Sequence, residues 1–191
     1  MKLLFATQNS HKLFEIKHLI PSNIELIDLK SINFSEEIPE DFDTLEQNAS
    51  QKSWFIFNKT GINCFADDTG LEIEALGGKP GVLSARYAGE VKSSTDNVKK
   101  VLSELKNISN RNCRFRTIIS LIIDSKEQLF EGVVNGKIIS KPTGYEGFGY
   151  DPIFIPDGFL QTFAEMPISE KNKISHRALA FNKLKTFLEA F

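Results

Sequence analysis

The chain has 191 residues, enough to bury a sizeable core and too few for a long repeat array. With 23 Lys and Arg against 25 Asp and Glu, the net charge of -2 supplies no whole-molecule positive field to hold a nucleic acid or an anionic membrane. Hydrophobic residues at 41% and charged residues at 25% exclude intrinsic disorder, and the expectation is a compact cytosolic protein.

In chain order, residues 3–6 read as a short buried strand. Asn9 or Ser10 then caps a helix whose apolar face uses Leu13, Ile16, Leu19 and Ile20 before Pro21 stops it. The opening apolar run is too short for a signal-peptide core, and no segment approaches a membrane span. Residues 24–29 suggest a second strand, and residues 35–41 form an acidic loop too polar to pack. Thr44-Leu45-Glu46-Gln47 matches a capping box and Gly61 supplies the stop, so a helix is expected over 44–59. A strand over 63–66 delivers Asp67-Asp68-Thr69-Gly70 at its end, and 71–75 continues past it.

Val98, Val101, Leu102 and Leu105 fit helical spacing, which starts a helix near residues 94–96. Residues 115–123 and 129–139 are β-branched and apolar, a long hairpin interrupted at residues 124–127. Residues 152–155 suggest a short strand, and a last helix over 174–191 carries Ile174, Ala178, Phe181 and Leu188 on one stripe. Cys64 and Cys113 are far apart with no metal or redox spacing, so both are expected as free buried thiols. The fold class is therefore α/β with a mixed sheet, in one compact unit spanning 1–191.

Four constellations carry chemistry-bearing side chains. Residues 7–12, Thr-Gln-Asn-Ser-His-Lys, lie where a strand meets a helix start, an arrangement that suits phosphate oxygens or serves merely as a capped helix with a surface Lys. Asp67 and Asp68 are adjacent like charges, which favours a cation, and oxygen-only ligands favour Mg²⁺, with Glu40 of the acidic loop completing the set. The plain alternative is a strand-end turn. Aspartic proteases need two Asp-Thr-Gly triplets where this chain has one, and haloacid-dehalogenase phosphatases need Asp-x-Asp spacing, so neither fits. Gly147-Phe148-Gly149-Tyr150-Asp151-Pro152 offers an aromatic face and a carboxylate to a planar base, or a turn into a strand. Lys171, Lys173, His176 and Arg177 crowd the expected start of the last helix, where the macrodipole disfavours cations; an anionic partner offsets that, or the run is a solvated face. His11 and His18 read as helix-surface residues.

Ordered segments extend over residues 7–177: 7–12, 44–49 with Lys52, 66–71, 77–81 with 84–87, 147–152, and 164–166 through 175–177. On these the chain resembles the inosine triphosphate pyrophosphatase family, which converts ITP, dITP and XTP to monophosphate and pyrophosphate. The resemblance implies an elongated mixed sheet flanked by helices, two lobes with a central nucleotide cleft, a cytoplasmic homodimer, Mg²⁺ as cofactor and purine nucleoside triphosphates as substrates. It implies Asp68 as the catalytic carboxylate and a metal ligand, Glu40 as a second ligand, and Thr7, Asn9, Lys12, Lys52 and Lys171 on the triphosphate, with Thr69 also binding substrate. Phe148, flanked by Gly149 and Tyr150, is implied to stack on the base, while Asp151, His176 and Arg177 read its edge. Gln8 departs from the Gly that many members carry. Two further readings are a Maf-like pyrophosphatase of modified pyrimidine nucleotides and a nucleotide sensor without chemistry.

Overall fold

The computed structural model describes residues 1–190. Its strands, β1 (Lys2–Phe5), β2 (Glu25–Asp28), β3 (Cys64–Ile73), β4 (Pro80–Gly81), β5 (Asn112–Ile123), β6 (Lys126–Ile138) and β7 (Phe154–Pro156), form a seven-stranded sheet in the order β2-β1-β3-β5-β6-β7, with β4 paired to β3. The chain divides into two compact units: one holds Met1–Asp68, Thr117–Gly132 and the residues from Arg177 onward, and the other Thr69–Arg116 and Val133–His176.

In the first unit β1 (Lys2–Phe5) pairs in parallel with β2 (Glu25–Asp28) and with β3 (Cys64–Ile73). Successive strand residues face opposite ways. Leu3, Phe5 and Phe65 accordingly pack with Ile16 of α1 (Ser10–Lys17) and with Ala180, Phe181 and Leu184 of α5 (His176–Glu189). Leu4, Ala6, Cys64 and Ala66 pack instead with Ile56 of α2 (Leu45–Thr60). The first unit thus has helices on both faces of its strands. Asn9 caps α1, its side chain accepting from the amides of His11 and Lys12 at 3.0 and 3.2 Å. Thr44 caps α2, and Gly61 ends it at φ 66°, a left-handed conformation that suits a residue with no Cβ.

The second unit gathers Leu71, Ile73, Cys113, Phe115, Ile138, Phe154 and Phe163 around Val98, Val101 and Leu105. Val98 and Val101 belong to α3 (Ser94–Glu104). The two-residue strand β4 (Pro80–Gly81) runs antiparallel to β3, and a Cβ on Gly70 would stand 2.8 Å from the Gly81 carbonyl oxygen, so that crossing demands glycine. β5 (Asn112–Ile123) and β6 (Lys126–Ile138) are joined at Asp124 and Ser125, whose φ of 49° and 62° match the twist of a tight hairpin. β7 (Phe154–Pro156) lies antiparallel to β6, and α4 (Ile168–Ile174) precedes α5.

The α/β class, the mixed sheet and the order of elements agree with the sequence reading, and three details differ. The strand expected over 63–66 does not end at the carboxylates: β3 runs unbroken over ten residues through Asp67 and Asp68. The acidic loop is not wholly unpacked, because Ile38 is buried against Ile56 and Leu4. The last helix begins at His176 rather than Ile174, because Ser175 (φ -68°, ψ 150°) separates it from α4, and its expected end at Phe191 lies outside the described residues. Cys64 and Cys113 are free and buried, as expected. Among the described residues no helix is long and apolar enough to cross a membrane.

Candidate active site

The strand's period of two decides what Asp67 and Asp68 meet. Asp67 has the parity of Phe65 and turns toward α1 and α5, where its Oδ2 receives Lys12 Nζ at 3.0 Å and Arg177 Nε at 3.3 Å. Asp68 has the parity of Ala66 and turns toward α2, where Lys52 Nζ donates to its Oδ1 at 3.0 Å and Asn48 Nδ2 approaches its Oδ2 at 3.4 Å. Neighbours in sequence, the two carboxylates occupy separate electrostatic environments.

Arg177 is 2% exposed and its NH1 donates to Glu15 of α1, itself buried. A guanidinium presents its donors in a rigid fork, so Glu15 and Asp67 are held by one group. Burial alone pushes the Asp67 carboxyl up, but Lys12, Arg177 and Lys52 outweigh it and hold Asp67 well below the ordinary carboxylate range. Asp68 moves the other way: burial raises it, Lys52 and Lys12 counter only in part, and Glu40 adds to the rise. Asp67 is therefore a fixed anion, and Asp68 is the carboxylate closer to taking a proton.

Lys52 is shared, donating also to Glu40 Oε1 at 2.6 Å. Two carboxylates thus converge on one buried cation. Among the described residues no group of three or more His, Cys, Asp or Glu side chains forms a complete metal cage. A pair of carboxylates fits Mg²⁺ nonetheless, since that ion commonly takes one or two protein carboxylates and completes its shell with water and phosphate oxygens. Thr7 accepts from the Asn9 amide at 3.2 Å, and Gln8 is directed to the acidic loop, its Nε2 donating to the Glu36 carbonyl at 2.9 Å. Gln8 therefore ties the turn of residues 7–9 to the acidic loop.

The second unit holds the other predicted residues. Asp151 is buried, and its Oδ2 accepts from the Phe148 amide at 2.8 Å and from Lys171 Nζ at 2.6 Å. Lys171 Nζ also lies 5.4 Å from the centre of the Phe148 ring and 5.5 Å from that of Phe163. Gly147 has φ 74°, and a Cβ there would run into the Asp151 carboxylate. Gly149, at φ 63°, carries the chain to Tyr150, which is buried with its hydroxyl donating to the Ser84 carbonyl at 2.9 Å. His176 is buried and stacked 4.5 Å from Phe115, and Thr69 is half-buried within β3.

The structure therefore brings Thr7, Asn9, Lys12, Glu40, Lys52, Asp67, Asp68 and Arg177 into the first unit, and Phe148, Gly149, Tyr150, Asp151, Lys171 and His176 into the second. Lys171, expected on the triphosphate, is placed with Asp151 and Phe148. The macrodipole argument holds for only part of the charge run: Lys171 and Lys173 lie in the last turn of α4, where cations are favoured, whereas Arg177 lies in the first turn of α5 and is offset by Glu15 and Asp67. The sequence reading assigned no role to Glu15, Asn48 or Gln51. The available signals were a carboxylate beside Ile16 on the buried face of α1 and the helical spacing of Asn48, Gln51 and Lys52.

The chain resembles known proteins over nearly its whole length. The sequence pattern of the Ham1 family matches residues 3–187. A dITP/XTP pyrophosphatase of Christiangramia forsetii is 50% identical over 188 residues, covering 98% of this chain and 99% of that protein. One of Bacillus subtilis is 46% identical over 191 residues, covering 98% and 96%. The structure of a HAM1 protein from Coxiella burnetii superposes with a TM-score of 0.92 at 36% identity, covering 100% of both chains. With a family match over nearly its whole length and full-length relatives near half identity, the chain belongs to the Ham1 family.

Proposed function

We propose that this chain is a nucleoside triphosphate pyrophosphohydrolase that cleaves dITP, ITP and XTP to the monophosphate and pyrophosphate. The names of its relatives support the substrate class. The observation that carries the chemistry is the convergence of Glu40 and Asp68 on Lys52, at 2.6 and 3.0 Å.

In this reading Lys12 and Lys52, with Thr7 and Asn9, hold the triphosphate, and Thr69 lines the approach to Asp68. The Asn9 Oδ1 is occupied by the helix cap, so its Nδ2 is the donor it offers a phosphate. Hydrolysis between the α and β phosphates adds water across the anhydride: a P–OH bond forms, the bridging P–O bond breaks, and the water's surplus proton needs an acceptor. Asp68 is that acceptor, since among the described residues its Oδ2 meets only the 3.4 Å approach of Asn48 Nδ2, whereas Asp67 Oδ2 is held by both Lys12 and Arg177. Lys12 and Lys52 offset the charge that develops on pyrophosphate as it leaves. Glu40 and Asp68 would hold Mg²⁺, which supplies further neutralisation of phosphate oxygens when bound.

On the base side, Phe148 offers a stacking face between Gly147 and Gly149, with Tyr150, Asp151, Lys171 and His176 as the polar set of the second unit. A site built to donate to a 6-keto oxygen leaves its donor unmet by the 6-amino group of adenine, at a cost of about 1–3 kcal/mol. The family resemblance also supports a cytoplasmic homodimer acting on free nucleotides, with residues 1–191 serving as one functional domain.

The test is pyrophosphate release from a panel of ITP, dITP, XTP, ATP, GTP, UTP and dTTP, with and without Mg²⁺. ITP, dITP and XTP are expected to lead, and Asp68→Asn to lower turnover by about 10²-fold or more with the circular dichroism spectrum unchanged. Preference for UTP or dTTP would overturn the purine assignment, and undiminished turnover in Asp68→Asn would remove Asp68 from the chemistry.

A further inference from the structure

Helical spacing places Asn48, Gln51 and Lys52 on one face of α2, at positions i, i+3 and i+4. Opposite them runs part of the acidic loop, outside helix and strand, and the two meet residue for residue in reverse order. Lys52 Nζ donates to Glu40 Oε1 at 2.6 Å. Gln51 takes the Asp41 amide on its Oε1 at 3.0 Å and donates from Nε2 to Asp41 Oδ2 at 2.7 Å. Asn48 takes the Phe42 amide on its Oδ1 at 2.9 Å and returns a bond from Nδ2 to the Phe42 carbonyl at 3.0 Å.

Asn48 and Phe42 thus exchange two bonds, as paired residues of an antiparallel ladder do. Asn48 is 1% exposed, and the same Nδ2 approaches Asp68 Oδ2 at 3.4 Å. One buried carboxamide therefore touches both the loop that carries Glu40 and the strand that carries Asp68. The clamped residues Asp41 and Phe42 are themselves exposed and add little to the core. Three side chains on an exposed stretch do more for the position of Glu40 than for burial.

We propose that Asn48 and Gln51 are positioning residues for the metal site: they set the register of the Glu40 loop on α2, so that Glu40 and Asp68 present their oxygens to one cation. The proposal rests on the pyrophosphohydrolase reading for the cation's use, while the clamp itself is independent of substrate. Partners that orient metal ligands typically change affinity by about 10–100-fold when removed.

The test compares wild type with Asn48→Ala, which removes the acceptor for the Phe42 amide and both donations without adding a charge beside Asp68, and with the milder Gln51→Ala. Two measurements need no turnover: hydrogen exchange at the Asp41 and Phe42 amides in metal-free protein, and binding of Mn²⁺ alone followed by electron paramagnetic resonance. Both variants are expected to exchange those amides faster and to bind Mn²⁺ about tenfold more weakly. In turnover, half-saturation should shift to higher Mg²⁺ while saturating Mg²⁺ restores kcat. A purely structural role would lower Tm and leave Mn²⁺ affinity unchanged, and that result overturns the proposal. If wild type binds Mn²⁺ and the variants do not, yet no purine triphosphate is cleaved, the clamp stands and the substrate reading falls.

Discussion

Residues of the same type take different work according to the direction in which the backbone points them. Asp67 faces Lys12 and Arg177 and is locked as an anion, whereas Asp68 faces Lys52 and Glu40 and is not. Lysine shows the same dependence. Lys171 is as cationic as Lys12 in the sequence, yet its ammonium lies 2.6 Å from Asp151, with both side chains almost wholly buried. Removing one partner of such a pair strands the other charge, so Lys171→Met should destabilise the protein by about 3–5 kcal/mol in urea denaturation. Adding Asp151→Leu to that variant should return part of the loss. A stability loss below about 1 kcal/mol together with a raised KM for ITP would instead assign this lysine to the triphosphate.

Elements were legible where local chemistry governs them. Thr44 and Gly61 bracket α2 because a hydroxyl satisfies an orphan amide at one end and a residue without Cβ accepts φ 66° at the other. Gly61→Ala meets no neighbouring atom, so its cost is the left-handed conformation alone, about 1 kcal/mol, visible as a lower denaturation midpoint. KM for ITP should stay at the wild-type value, since Gly61 lies outside the candidate site. The cap of α1 was narrowed to Asn9 or Ser10, of which Asn9 serves, and α3 is capped by Ser93, just before its expected start at 94–96. The course of β3 was not: Asp-Asp-Thr-Gly has turn composition, and only paired neighbours with buried cations make an extended conformation the better one there. Nor was the break at Ser175, because the apolar stripe resumes in α5 with helical spacing and conceals the gap.

At the scale of the molecule, Cys64 lies in the first unit and Cys113 in the second, so the two thiols report on each unit separately. Burial pushes both thiols up to about 12, and Asp157 and Glu74 add to the rise at Cys113. Native protein should therefore resist iodoacetamide at pH 8, with labelling appearing only as denaturant opens each unit; rapid native labelling of either thiol would contradict its burial. Because the folded thiols hold their protons above the unfolded value, this contribution is complete below about pH 8.5 and is lost as pH rises toward the folded value, so stability should fall across that interval. The net charge of -2 excluded a polyanion-binding face, but it says nothing about charge placement: Lys12, Lys52 and Arg177 all sit on buried carboxylates of the first unit. The fold class, the ends of α2, the order of elements and the ordered segments that mark the family can be read before folding, because they follow from local preference, periodicity and motif. Only folding decides which cation meets which carboxylate, that Glu15 meets Arg177 and Asn48 approaches Asp68, and that Lys171 lies with Asp151. Those pairings join residues far apart in the chain, and their partners are chosen by strand parity and helix face once the chain has folded.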